Sequence, residues 1–377
     1  MMLVALVLTA VAGFAAAFIL PWAIPLPPAA HIHLALATGI MPLIFGAMTH
    51  FVPVLTRSAA PHVGIKTIPV LMLAAGALAV FSFAAANQIY YFAALLALAA
   101  AAIFSGWILS RASGPLNKPH PCLHWYLAAI ACLILALAAV AAMALWPEQR
   151  LALKRLHLHL NTLGFVGLTA IATLQVLLPT AVGRFDPQAA ARLRRDLKWA
   201  LGGTLLVAAG AAWLKPLAWL GAMMWAVPLL RLGKAWLALY AGEVLRWHGA
   251  APSLAAALTG FAATLLFGSL HAGGILDTTG TAHAFILAFL FPLVTGAASQ
   301  LLPVWARPGP QTAWHAQARQ KLGLAGGIRG MLFLGGGILL GLGWRGGLLP
   351  AMAGLIAFLV QLALAARTMA DRDAKLK

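Results

Sequence analysis

The sequence predicts an all-α polytopic membrane protein of about 12 transmembrane helices, and three observations carry that prediction. Of its 377 residues, 63% are hydrophobic. Only 8% are charged, whereas a soluble domain carries about a quarter. The apolar residues fall in continuous runs of roughly 20, the length that crosses about 30 Å of hydrocarbon. A closed barrel, the other fold that satisfies its backbone in lipid, would alternate apolar and polar residues instead.

The runs predict helices over 3–22, 31–53, 67–86, 89–110, 123–145, 157–179, 197–214, 216–239, 252–271, 281–303, 326–343 and 347–366. The first run lacks a basic front and a cleavage site, so it is expected to stay as a helix and not to act as a signal peptide. Loops after even-numbered helices, with the tail, hold 20 of the 25 Lys and Arg. The opposite side holds Arg150, Lys154, Arg155, Lys215 and Arg345. By the positive-inside rule both termini are cytoplasmic, and the expected location is the inner (plasma) membrane. The net charge of +18 is then a topogenic signal reinforced by anionic lipid, with no nucleic-acid partner implied. The basic stretch 185–199 reads as a solvated, amphipathic cytoplasmic segment. Tryptophans such as Trp107, Trp146 and Trp344 read as interfacial anchors.

Three segments align without gaps: His33 to Pro53, His159 to Pro179 and His283 to Pro303. Each opens on His and closes on Pro, and Arg57, Arg184 and Arg307 follow at nearly the same place. The spacing divides the single transmembrane domain 1–377 into repeats of approximately 1–122, 123–248 and 249–377. A period of four helices makes the repeats parallel, so helices 2, 6 and 10 run the same way and start on the non-cytoplasmic side.

Topology sorts the twelve histidines six and six. His50, His62, His120, His124, His248 and His315 fall on the cytoplasmic side and read as solvated or interfacial. His31, His33, His157, His159, His271 and His283 fall on the outer side, where the repeated pattern points to a ligand set. Polar groups at membrane depth line bundle interiors and tend to be functional. The pairs 31/33 and 157/159 have His-x-His spacing, which directs their two rings to nearly opposite helix faces. Such a pair cannot grip one metal but can serve two neighbouring clefts. The third segment has Thr281 in place of the first histidine. Carboxylate and thiolate are absent from this layer apart from Asp277, so an all-imidazole site suits heme best, with copper next and zinc last. Cys122 and Cys132 fit neither a disulfide framework nor a heme attachment motif and read as structural.

Twelve helices in a threefold of four, with histidines opening helices 2, 6 and 10, resemble the core subunit of the heme–copper oxidase superfamily. The segment 157–179 and the elements His31-Ile32-His33, Thr56-Arg57 and Gly183-Arg184 are similar to NnrS-type proteins, twelve-helix heme-binding membrane proteins associated with nitric oxide metabolism. The resemblance implies histidine-ligated, b-type heme near the outer face, with copper as a second candidate. It also implies a redox partner or a small gas ligand such as nitric oxide. His33 or His31 would pair with His283, or one of these would pair with His157 or His159; His271 could return to the same region. The departures are equally specific. Helix 7 has no histidine, helices 6 and 7 have no tyrosine, and none of the seven Asp and Glu lies near mid-membrane, so a proton-pumping oxidase is not expected. If the chain is an enzyme, it is a heme-dependent oxidoreductase. The other readings are a transporter or handler of copper or heme, suggested by Pro42 and Pro292 within helices, and a non-catalytic assembly subunit.

Overall fold

The computed structural model describes residues 1–113 and 118–373; Lys375 and Lys377 of the basic tail lie outside them. Every regular element among the described residues is helical. Among the described residues, eleven helices are long and apolar enough to cross a membrane. They are α1 (Met2–Ile19), α2 (Pro28–Thr56), α3 (Val63–Ala84), α4 (Ile89–Ala112), α5 (Cys122–Leu145), α6 (Pro147–Val182), α8 (Lys215–Val244), α9 (Ala251–Ala272), α10 (Gly280–Ala306), α11 (Ala313–Gly341) and α12 (Arg345–Arg367).

The remaining predicted span, 197–214, is part of a longer helix, α7 (Ala189–Ala212). Its first half carries Arg192, Arg194, Arg195, Asp196 and Lys198, which is why it falls short of the apolar length of the others. This corrects the reading of 185–199 as a solvated segment. Arg192 donates to Asp186 at 2.6 Å and to Gln175 at 2.8 Å, and Arg231 of α8 donates to Asp196 at 2.7 Å. Asp186, Arg192 and Asp196 are all buried. Each of these charges has an opposite partner, the condition for removing it from water. Trp107, expected at an interface, is instead buried against Phe104, whereas Trp146 and Trp344 are exposed.

Three helices form the centre. The most apolar stretches of α2, α6 and α10 are 61%, 67% and 89% buried, against 33–56% for the other candidate spans. The packing around them runs in sequence: α5 lies against α2 and α4, α9 lies against α6 and α8, and α1 lies against α10. Within this centre each helix carries a π-helical stretch, Leu34–Ile40, Leu160–Leu168 and Ala284–Leu290. Each begins on the residue after the aligned histidine. Proline explains two of them, since Pro42 and Pro292 cannot donate to the preceding turn. In α6 the side chains of Asn161 and Thr162 bond back to the carbonyls of His157 and Leu158 at 2.8 and 2.9 Å. They compete there with the backbone for its own acceptors.

Small residues let neighbouring helices meet these wide turns. Gly76 of α3 lies against the Ala37 carbonyl, and Gly260 of α9 lies against that of Ala288. A methyl group at either would overlap backbone, which cannot move as a side chain can. Gly260→Ala should therefore destabilise the detergent-solubilised protein by about 1–3 kcal/mol, the usual cost of overpacking. Gly268→Ala, on the same helix but facing open space, should leave it unchanged. Equal thermal melts for the two variants would contradict this packing.

Candidate functional site

The histidines gather at the end of the bundle where α2, α6 and α10 begin their apolar cores. Helix α6 starts ten residues before the predicted span, so Arg150, Lys154 and Arg155 are helical and not in a loop. This extension places basic side chains beside the histidines. His33 and His157 face each other across α2 and α6, with ring centres 6.4 Å apart and planes 13° from parallel. His33 also packs on Phe83 of α3 at 4.7 Å, and Phe83 in turn stacks on Tyr90 at 5.3 Å. Arg150 donates to the Tyr90 hydroxyl at 3.3 Å, and Lys154 is within electrostatic reach of His33.

The two rings are held in the same way. Nδ1 of His33 is 2.7 Å from the Ala29 carbonyl, and Nδ1 of His157 is 2.9 Å from that of Ala136. A carbonyl can only accept, so Nδ1 carries the proton and Nε2 presents its lone pair. A backbone carbonyl on one ring nitrogen commonly fixes the tautomer and orientation of an imidazole that binds metal through the other.

His159 turns away from this pair, as spacing by two dictates. Its Nδ1 donates to the Arg155 carbonyl at 2.8 Å, and it lies within electrostatic reach of His271 of α9. The Nδ1 of His271 donates to the Leu276 carbonyl at 2.8 Å. His31 is the odd member: its Nε2 donates to the Leu26 carbonyl at 3.1 Å, and its buried Nδ1 makes no hydrogen bond. His283 is half-buried near Asp277, which caps its helix by accepting from Gly280 at 2.6 Å. The structure thus brings His33 to His157 and His159 toward His271.

Among the described residues no three His, Cys, Asp or Glu gather as a metal cluster. A two-imidazole site needs no third protein ligand. His33 and His157 are the two residues that would hold a group in such a site.

Two polar groups stand out in places that the sequence did not indicate. Asn161, one turn after His157, holds its amide 3.4 Å from the His157 ring nitrogens. Arg329 of α11, counted among the topogenic charges, is fully buried. It donates to Ser253, Ser299, Gln361 and the Leu322 and Thr295 carbonyls, joining α9, α10, α11 and α12. The signal for it was present as polar residues inside apolar runs and as glycines 326, 327 and 330 around it.

The chain matches no protein-family model and no curated protein.

The hydrogen bonds fix a tautomer for each ring. Long-range nitrogen–proton NMR on histidine-labelled, cofactor-free protein should show His33, His157, His159 and His271 protonated at Nδ1, and His31 at Nε2. Nε2 protonation of His33 and His157 would contradict the assigned geometry.

Proposed function

We propose that the protein is a heme-binding integral membrane protein in which His33 and His157 would hold one heme. The observation that carries this reading is the pair of near-parallel imidazoles at 6.4 Å, each tied through Nδ1 to a backbone carbonyl. Bound there, the group supplies one-electron chemistry, in respiration or in nitric oxide-related metabolism.

The chain's own residues would do the rest. Ala29 and Ala136 hold the rings through the Nδ1 hydrogen bonds and keep Nε2 as a ligand. Phe83 and the helix faces around it exclude water, which tunes potential in buried sites. Arg150 and Lys154 offer cations to the carboxylates that heme carries at its edge. His159 and His271 are available to a second cofactor in the adjoining cleft, with copper as the other candidate. A redox partner would approach from the end of the bundle where these residues lie.

The three π-helical stretches at equal offsets from His33, His159 and His283, with the cyclic packing of the surrounding helices, support three parallel repeats. The uneven distribution of Lys and Arg supports cytoplasmic termini in an inner (plasma) membrane. A reporter fused after Lys377 reads that orientation directly. The transporter reading looks for helices broken at the binding site; α2, α6 and α10 run through their π turns without a break, which favours the heme reading.

Purified in mild detergent, the protein should show a Soret band and sharp reduced α-bands, with heme confirmed by pyridine hemochrome. His33→Ala and His157→Ala should each remove the six-coordinate spectrum while the protein remains folded, and His283→Ala should retain it. A colourless preparation, not rescued by heme supply during expression, would overturn the proposal. So would unchanged spectra in both of the first two variants.

A further inference from the structure

His33 is also held by an element outside the histidine cluster, the turn between α3 and α4. Ser82, near the end of α3, is fully buried. Its hydroxyl donates to the Asn87 carbonyl or side-chain oxygen, each at 2.8 Å, and accepts from the Tyr90 amide at 3.0 Å. The Asn87 amide returns a bond to the Ser82 carbonyl at 3.0 Å, and the Asn87 side chain accepts from the Ile89 amide at 3.1 Å. Between them Ala86 takes the left-handed conformation, with φ 50°, and the chain reverses. A serine and an asparagine bonding to nearby backbone are a common way to close such a turn.

These bonds fix the end of α3 against the start of α4 and so hold two aromatic rings together. Phe83 stacks on Tyr90 with centres 5.3 Å apart and planes 13° from parallel, and Tyr91 backs Tyr90 at 4.3 Å. Phe83 in turn packs on His33, with centres 4.7 Å apart and planes tilted by 47°. The contacts close on themselves. They run from His157 through His33, Phe83 and Tyr90 to Arg150, which donates to the Tyr90 hydroxyl at 3.3 Å and lies on the same helix as His157.

We infer that the α3–α4 turn sets the plane of the His33 ring, with Phe83 as the positioning residue and Tyr90 as the support behind it. The bond from Nδ1 to the Ala29 carbonyl anchors the ring at one atom, and a ring held at one atom can still tilt. One such bond favours an orientation by about tenfold or less. An aromatic neighbour in a tilted contact adds a directional preference of its own, and Phe83 cannot yield readily because Tyr90 stands against it. What the plane is for rests on the heme reading, since the angle between two imidazoles that hold one heme governs the shape of its ferric low-spin signal. The placing of the ring itself does not need heme, and the two can be measured apart.

In the histidine-labelled, cofactor-free full chain, Phe83→Leu should split the nitrogen–proton correlations of His33. About a tenth or more of the population should leave the Nδ1-protonated form, the share that a single hydrogen bond fails to hold. His159, which turns away from this side, should keep one form. Tyr90→Leu should act in the same direction through Phe83 and serves if the first variant does not fold. Tyr90→Phe, which keeps the stacked ring, should restore a single form. A monodisperse elution profile and a cooperative melt establish folding for each. In the heme-loaded protein, Phe83→Leu should retain the wild-type heme content and shift or broaden the rhombic ferric signal. A single Nδ1-protonated His33 in the folded leucine variants overturns the inference, and so does an unchanged ferric signal. A colourless wild-type preparation overturns the heme reading instead, and the nitrogen–proton spectra then decide the role of Phe83 on their own.

Discussion

A backbone carbonyl in an apolar bundle has to find a donor without help from water, and the rest of this structure depends on where those donors come from. At the start of α2, α6 and α10 the helix widens to π geometry and some carbonyls turn outward. Glycines such as Gly76 and Gly260 let neighbouring helices approach those turns. Just before the π stretches, the donors to several carbonyls are histidine rings: Ala29 and Arg155 accept from His33 and His159 on their own helices, and Ala136 accepts from His157 across a helix pair. One requirement thus produces both the irregular helices and the fixed imidazoles. A π turn inside a helix is frequently a functional feature. Here it sits directly beside the ring that its own helix presents.

Much of this could be read from residue order. Long apolar runs located the helices, and the recurrence of His33, His159 and His283 located the end of the bundle that deserved attention. The opposed directions of His157 and His159 followed from their spacing by two. The partners did not follow, because a repeat aligns equivalent positions, whereas contact depends on which helices pack. The sequence left His33 open to pairing with His283, His157 or His159, and α2 presents it to His157. Charge was the other obscure quantity. Arg192, Asp196 and Arg329 look topogenic in a list of loops, but their burial depends on Gln175, Arg231 and Gln361 far away in the chain. The extension of α6 was hidden for the same reason, since Arg150 and Lys154 interrupt the apolar run without ending the helix.

The histidine region occupies one end of the central helices. Near one end, imidazoles with an aromatic and cationic surround suit a flat, charged-edge group. Further along, the same three helices line an apolar pocket. A histidine pair whose tautomers are set by the backbone before any ligand arrives binds with less reorganisation, which is the usual gain from preorganisation. Arg192, bonded to Gln175 of α6, and the Asp196–Arg231 pair hold α6, α7 and α8 together near the other end. The histidine region therefore rests on a framework that is stabilised independently of it.

The central claim is that His33 and His157 bind one heme with their rings nearly parallel. Electron paramagnetic resonance of the oxidised, purified protein tests it most directly, because the spectrum of a low-spin ferric site responds to the angle between its two axial imidazole planes. Planes 13° apart predict a rhombic low-spin signal that is lost in both His33→Ala and His157→Ala. A strongly anisotropic signal, typical of crossed planes, or a rhombic signal that survives in either variant, would contradict the account.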